Sequence, residues 1–293
     1  MKKNIILFFF LIYSNFIASQ NNLFSLINEE EQVIFTSYIF KGTKIVNGQS
    51  VELPANGVLQ FMIQHRFGPL NSGNYNLYGL DYAQVRFSFE YGYNDWLSLG
   101  LARSSVSKVI DGNLKVRYKR QQSGKNIFPL TIVSHSAVYF KQYTEIEINS
   151  TDFNLINQLI YANQILIARK INRNLSLQLT PTFLHFNAIE NNVVNKENLN
   201  DNISIGIGGR QKITKRISIN AETFIQLYNQ RNNNIISIGF DIETGGHVFQ
   251  LHLSNSPSMI EPIFVTNTTA DFLRGDIYFG FNISRVFTIS SKK

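Results

Sequence analysis

In the stretch GVLQFMIQHRF (Gly57–Phe67), Leu59, Phe61, Ile63 and Phe67 share one parity while Gln60, Met62, Gln64 and Arg66 share the other. Successive side chains of a strand point to opposite faces, so this stretch has one apolar and one largely polar face. NLKVRYKR repeats the pattern, with Leu114, Val116 and Tyr118 set against Lys115, Arg117 and Lys119. Further segments alternate in the same way: QVRFSFEY, WLSLGLA, LTIVSHSAVYF, LIYANQILIA, LSLQLTPTFLHF, NISIGIGGR, ISINAETFIQLY, IISIGFDIE, HVFQLHLS and DIYFGFNIS. The alternation predicts twelve strands, and no stretch after about Gln32 reads as an amphipathic helix.

The connections alternate too. Short turns follow every second strand at YNDW, the SGKN region, INRN, TKR and TGG, whereas the intervening links are mostly longer and polar. Among these are GPLNSGNYNLYGLD, the segment from Ser105 to Asp111, KQYTEIEINSTD, NAIENNVVNKENLND and NSPSMIEPIFVTNTTADFLRG. Short turns at one end and long loops at the other describe an all-β, up-and-down antiparallel transmembrane β-barrel with periplasmic turns and extracellular loops. A soluble sandwich alternates in the same way, but its strands are usually only about five or six residues long. The segments here run about nine to twelve residues, the length of a tilted membrane strand. Charges sit in mid-strand on the polar parity, and Tyr91, Trp96, Tyr118 and Phe287 fall near strand ends, as girdle residues do.

The chain opens MKKNIILFFFLIYSNFIASQ, a basic start followed by a short apolar run and small residues. That order predicts a signal peptide over 1–19 and export to the cell outer membrane. Residues 20–56 read as an N-terminal periplasmic segment or lumen plug, with a short helix at LFSLINEEEQ and a turn at Asn47-Gly48. The barrel then occupies 57–293. The formal charge of +7 falls by two without Lys2 and Lys3. Such a surplus suits an anionic surface or acidic solute and gives little reason to expect nucleic acid. The absence of cysteine rules out disulfides, cysteine zinc sites and CxxCH haem attachment.

The region from about Thr43 to Phe287 resembles an uncharacterised Bacteroidota outer-membrane-type β-barrel family that carries a domain-of-unknown-function label. The resemblance rests on HRFGPLN (His65 to Asn71), the strand end Phe89 to Gly92, ARSS (Ala102 to Ser105) and the terminal GDIYFGFN. It implies an exported barrel and assigns no catalytic residue.

On the polar parity, the lumen is expected to carry Arg66, Arg86, Lys115, Arg117, Lys119 and Arg210 against Glu90, Glu222, Asp241, Glu243 and Asp276. Two uses fit. The charges can pair and close the interior, giving a structural barrel whose ligands meet the Ser254 to Gly275 or Ala188 to Asp201 surface loops. Alternatively they line a passive path for a small solute, with Lys115, Arg117 and Lys119 as a basic stripe. The channel is the leading expectation and the closed or surface-binding barrel its alternative.

LHLSNS (Leu251 to Ser256) offers a third, enzymatic use. His252 and Ser254 share a strand face, the spacing a base and nucleophile need, and Asp241, Glu243, Glu261 or Asp271 could orient the base. A His-x-Ser-Asn run resembles the active site of outer-membrane lipid hydrolases. The parity of His252 and Ser254 is that of the lumen, however, away from acyl chains at the outer wall, so a non-enzyme is expected. His65 reads as a rim residue organising GPLN; His135, His185 and His247 have no chelating spacing, so no metal and no cofactor is expected. GIGG (Gly206 to Gly209) lacks the rest of a dinucleotide loop and reads as strand glycines easing curvature. The aromatic last strand, with Phe279, Phe281 and Phe287, resembles the C-terminal signal read by barrel-assembly machinery. That machinery and the lipid bilayer are the expected partners.

Overall fold

The computed structural model describes residues 32–142, 155–187, 200–230 and 232–290. The signal-peptide stretch, the LFSLINEEEQ helix and most of the Ala188 to Asp201 loop lie outside the described residues.

Twelve antiparallel strands close into one barrel. They are β1 (Val58–Pro69), β2 (Ala83–Gly92), β3 (Leu97–Ser104), β4 (Val109–Lys119), β5 (Thr131–Lys141) and β6 (Leu159–Lys170), then β7 (Leu175–Phe186), β8 (Asp201–Lys212), β9 (Ile217–Tyr228), β10 (Ile235–Thr244), β11 (His247–Ser254) and β12 (Tyr278–Thr288). Each pairs with the next, and β12 returns to β1 with Ile283 opposite Ile63 and Thr288 opposite Val58. All twelve coincide with the alternating segments. Closure leaves no edge strand, so every backbone ladder is satisfied within the barrel wall.

The parity reading also fixes the faces. Gln60, Gln64, Arg66, Arg86, Ser88, Glu90 and Lys115 are buried inside, while Phe87, Phe89, Leu101, Leu177, Ile207, Phe240 and Leu251 are exposed outside. Outward aromatic rings stack across the β12–β1 seam, Phe67 on Phe279 at 5.7 Å. His65 belongs to this outer cluster, lying flat on Phe281 at 4.9 Å.

Three features depart from expectation. The SGKN connection is no tight turn, because it carries a short strand, Gln122–Gly124, that pairs with Val33–Phe35 outside the barrel. The last connection, expected to be an exposed loop, buries Asn255, Ser256, Ser258, Met259 and Ile260. It also forms an α-helix, α1 (Glu261–Thr266), with Pro262 in its first turn, and a 3-10 turn at Phe272–Arg274. Finally, the register shifts between Arg117 and Lys119. Two residues on one strand then oppose one on its neighbour, which ends the strict alternation of faces there.

Candidate functional site in the lumen

The chain fills its own lumen from both ends. From the turn end, Ile39 to Val51 run inside the barrel, with Ile39, Phe40, Ile45, Val46, Asn47 and Val51 at 3% exposure or less. Lys44 bridges Gln49. The Ile45 N–H donates to the Gly48 carbonyl at 2.8 Å, making a tight hairpin whose tip is Val46-Asn47. Successive N–H groups in such a turn form a concavity that holds an anion. Here the anion is the Glu222 carboxylate of β9, which accepts from the N–H groups of Val46, Asn47 and Gly48 at 3.2, 2.6 and 3.1 Å.

The wall is shaped for this hairpin. A methyl group added at Gly208 would stand 2.5 Å from Ile45 Cδ1, and one at Gly206 would stand 2.6 Å from the Phe224 ring. The GIGG glycines therefore give the hairpin and Phe224 room, a tighter role than easing curvature. Toward the turn end, Ile39, Phe40, Ile45 and Val51 pack with Val133, Leu166 and Ala168 of the wall.

From the loop end, α1 descends onto an apolar patch of the inner wall. Ile260, Phe264 and Val265 pack with Val109, Ala137, Tyr139, Ala162, Leu184, Phe186, Phe224 and Ile235. The two insertions meet at Glu261. Its carboxylate accepts from Gln49 Nε2 at 2.9 Å and the Tyr139 hydroxyl at 2.5 Å, and lies 3.3 Å from Lys44 Nζ. Burial alone would raise its pKa; Lys44, Arg86 and the Tyr139 hydroxyl outweigh that and hold the carboxyl below the usual carboxylate range.

The expected lumen residues sort into three groups. Arg86 and Asp111 form a buried ion pair at 2.8 Å, and Lys115 stands 4.0 Å from Glu90. Arg66, Lys115, Arg117, Arg210 and Glu222 bind the inserted hairpin itself, Arg66 through Asn47 Oδ1 at 2.6 Å and Arg210 through the Ile39 carbonyl at 3.1 Å. Asp241 is held by Gln250 on the neighbouring strand, and Glu243 pairs with Lys41 at the turn-end rim. Two residues are corrected. Lys119 is exposed past the bulge, its ammonium 5.4 Å from the Phe128 ring centre. Asp276 precedes β12 outside the lumen, bonded to the Asp271 N–H and the Asn71 amide.

Buried polar atoms without a protein partner occur round much of the wall, among them Asp111 Oδ1 and Arg117 Nε on β4, His135 Nε2 on β5, Asn202 Oδ1, Ser204 Oγ and Arg210 Nε on β8 and Asn220 Oδ1 on β9. On β11, β12, β1 and β2, a run of adjacent inward side chains has polar atoms with no hydrogen-bond partner: both ring nitrogens of His252, Asn282 Oδ1, both amide atoms of Gln64, Arg66 Nε, and Arg86 Nε and Nη1. These are neighbours by register, since Gln64 faces Asn282 on one side and Arg86 on the other. His252 and Arg66 meet over Gly280, each with a nitrogen within 3 Å of where its Cβ would stand.

His252 and Ser254 both point into the lumen, as their parity requires. Ser254 Oγ accepts from the Ser237 hydroxyl at 2.8 Å, and no hydrogen bond joins it to His252 among the described residues. His135 is buried against Gln164, and His185 pairs with Asp201 at 2.6 Å. No group of three potential metal ligands occurs among the described residues.

An apolar outer belt, a complete ring of strands and an interior occupied by the chain's own insertions define a β-barrel of the membrane-embedded kind. The chain belongs to the membrane bound beta barrel domain family (DUF5777), whose model matches residues 40–287. That match begins at Phe40, so the inserted hairpin is part of the family's domain. No curated protein matches the chain. Among solved structures it is similar to the KdgM porin (8% identity, TM-score 0.47, covering 78% of this chain and 99% of that one). It is also similar to the NanC porin (7%, 0.46, 78% and 98%) and to the CymD monoaromatic hydrocarbon channel (7%, 0.37, 80% and 89%).

Proposed function

We propose that this protein is a gated outer-membrane channel for a small solute, non-enzymatic and shut in the present conformation by its own N-terminal hairpin. Its turns face the periplasm, its loops face outward, and barrel-assembly machinery inserts it after export. The observation that carries the reading is the hairpin itself, a segment outside the closed ladder that occupies the lumen and is held there by hydrogen bonds to polar wall residues. Polar groups buried without partners each cost roughly 1–3 kcal/mol, whereas apolar side chains of similar shape would cost nothing of the kind. Withdrawal of the hairpin would open the polar strip of Gln64, Arg66, Arg86 and His252 to water.

Two further points support withdrawal. The twelve-strand ladder closes without the hairpin, so the barrel survives its departure. Helix α1 covers the apolar β4–β10 wall and can stay docked while the polar strip opens beside it.

A reversible lock tests this. The chain has no cysteine, and a Cβ at Gly239 would lie 3.3 Å from Val46 Cγ2, so the double variant V46C/G239C places two thiols within bridging range. In planar bilayers the reduced full chain is expected to show discrete conductance steps and the oxidised chain none. Silence in both forms, with wild type equally silent, identifies a closed structural or surface-binding barrel.

A further inference from the structure

The hairpin is held in a revealing way. Lys115 Nζ donates to the backbone carbonyls of Thr43, Ser50 and Glu52 at 3.0, 3.4 and 3.4 Å. Arg66 donates to Asn47 Oδ1 and to the Ser256 carbonyl, both at 2.6 Å, and Arg117 donates to the carbonyls of Val51 at 3.3 Å and Asp95 at 3.0 Å. Three cations on β1 and β4 therefore spend their donors mainly on neutral oxygens of the inserted segment. Arg66 is fully buried, and among the described residues its partners are the neutral oxygens of Asn47 and Ser256, with no carboxylate in ion-pair contact. Buried charges are normally paired, and a guanidinium offers several donors in a planar fork matched to oxyanions.

The acids divide between this strip and the rest of the lumen. Asp111 on β4 is committed to Arg86, and Glu90 on β2 stands beside Lys115. Glu261 stays on α1 against Tyr139, and Glu222, Asp241 and Glu243 lie on β9 and β10. Arg66 and Arg117 are therefore the cations of the strip with no acid paired to them among the described residues. When the hairpin leaves, it removes five oxygens from Arg66, Lys115 and Arg117 together with its own Glu52. What remains is a basic track from Arg117 near the turn end through Lys115 and Arg86 to Arg66 near the loop end. The orphaned donors Arg66 Nε, Arg86 Nε and Nη1 and Gln64 Nε2 lie along it.

We infer that the opened lumen conducts and binds acidic solutes carrying more than one anionic oxygen group, with Arg66, Arg86, Lys115 and Arg117 as the track. The hairpin's carbonyl oxygens occupy the positions that the solute's oxyanions take. This rests on the gated-channel reading above, and the test separates the two. The loop-end step of the track is Arg66 with Gln64 and Arg86; the turn-end step is Lys115 with Arg117.

The experiment uses the full chain reconstituted in planar bilayers under a potassium chloride gradient, with E222A to populate the open state and citrate as the acidic probe. The expected result is open events with a reversal potential displaced toward the chloride equilibrium value, reversibly blocked by citrate. R66Q and R117Q should each reduce both the selectivity and the citrate block several-fold. Heat-modifiable gel mobility verifies that each variant is folded; should R66Q fail that check, R117Q alone decides, its side chain being the less buried. Open events that favour potassium, or that keep their selectivity and citrate block in R117Q, overturn the inference while the gate stands. No open events in wild type, E222A or reduced V46C/G239C remove the gate and the inference together.

Discussion

Glu222→Ala is the sharpest test of how the hairpin is retained. Glu222 is 4% exposed and accepts from three consecutive backbone N–H groups. Hydrogen bonds to a charged group contribute about 1.5–3 kcal/mol each, and the low end applies because a withdrawn hairpin is rehydrated. Three such bonds give about 4.5 kcal/mol, a shift on the order of 10³-fold toward the withdrawn state at 1.4 kcal/mol per decade. Hydrogen exchange followed by mass spectrometry on the detergent-solubilised full chain reads this directly, since amides of Lys44 to Val51 exchange through the withdrawn state. Protection there should fall by about three decades in E222A, and strand amides of β5 to β7 should be unchanged. Glu222→Gln retains one acceptor oxygen and should give a smaller loss. Protection within tenfold of wild type in E222A would refute the nest as the retaining element.

Three further outcomes are expected. R86Q leaves Asp111 buried without its cation and should cost about 3–5 kcal/mol in denaturant unfolding, most of it recovered in R86Q/D111N; equal losses in single and double variants would deny the pair that role. F264A removes a fully buried ring packed 5.2 Å from Phe224, and a buried Phe→Ala change costs about 3–5 kcal/mol. Protease cleavage between Asn255 and Ala270 should appear while the barrel keeps its heat-modifiable mobility, and an uncut loop would sink this account of docking. For Glu261, the folded pKa is depressed, so its contribution is present above the unfolded value of about 4.3 and is lost as pH falls through the folded value. Loop protection, corrected for intrinsic exchange, should hold from neutral pH to about 4.5 and fail only in stronger acid; loss near pH 6 would contradict it.

The strands and their faces were legible because period two reports the side directly, as Leu59 to Phe67 shows. Partners were not legible, because the lumen joins residues far apart in the chain. Glu222 reads from sequence as one more lumen acid, and nothing local says that it meets N–H groups of Val46 to Gly48. The IEPIFV run of the last connection was misassigned for a similar reason. Six helical residues with a proline leave no periodic signature, and the patch that buries them, Leu184, Phe186 and Ile235 among others, comes from several different strands. One signal was available: lumen-parity positions are apolar toward the loop end at Ala137, Ala162 and Leu184, where α1 docks, and toward the turn end at Val133, Leu166 and Ala168, where the hairpin packs, which a water-filled bore would not select. Lys119 was misplaced by the bulge, invisible to a count that assumes unbroken alternation.

The hairpin also bears on biogenesis. It precedes every barrel strand in the chain, yet touches both strands of the seam: Gln60 Nε2 on β1 donates to Thr43 Oγ1 at 2.9 Å, and Asn282 Nδ2 on β12 donates to the Val46 carbonyl at 3.1 Å. These contacts tie together two strands separated by nearly the whole sequence, so the hairpin would favour their pairing if it were already in place as the sheet closes. Deleting it would then slow insertion itself, so yield of folded protein, and not conductance alone, is the quantity by which a truncation must be judged.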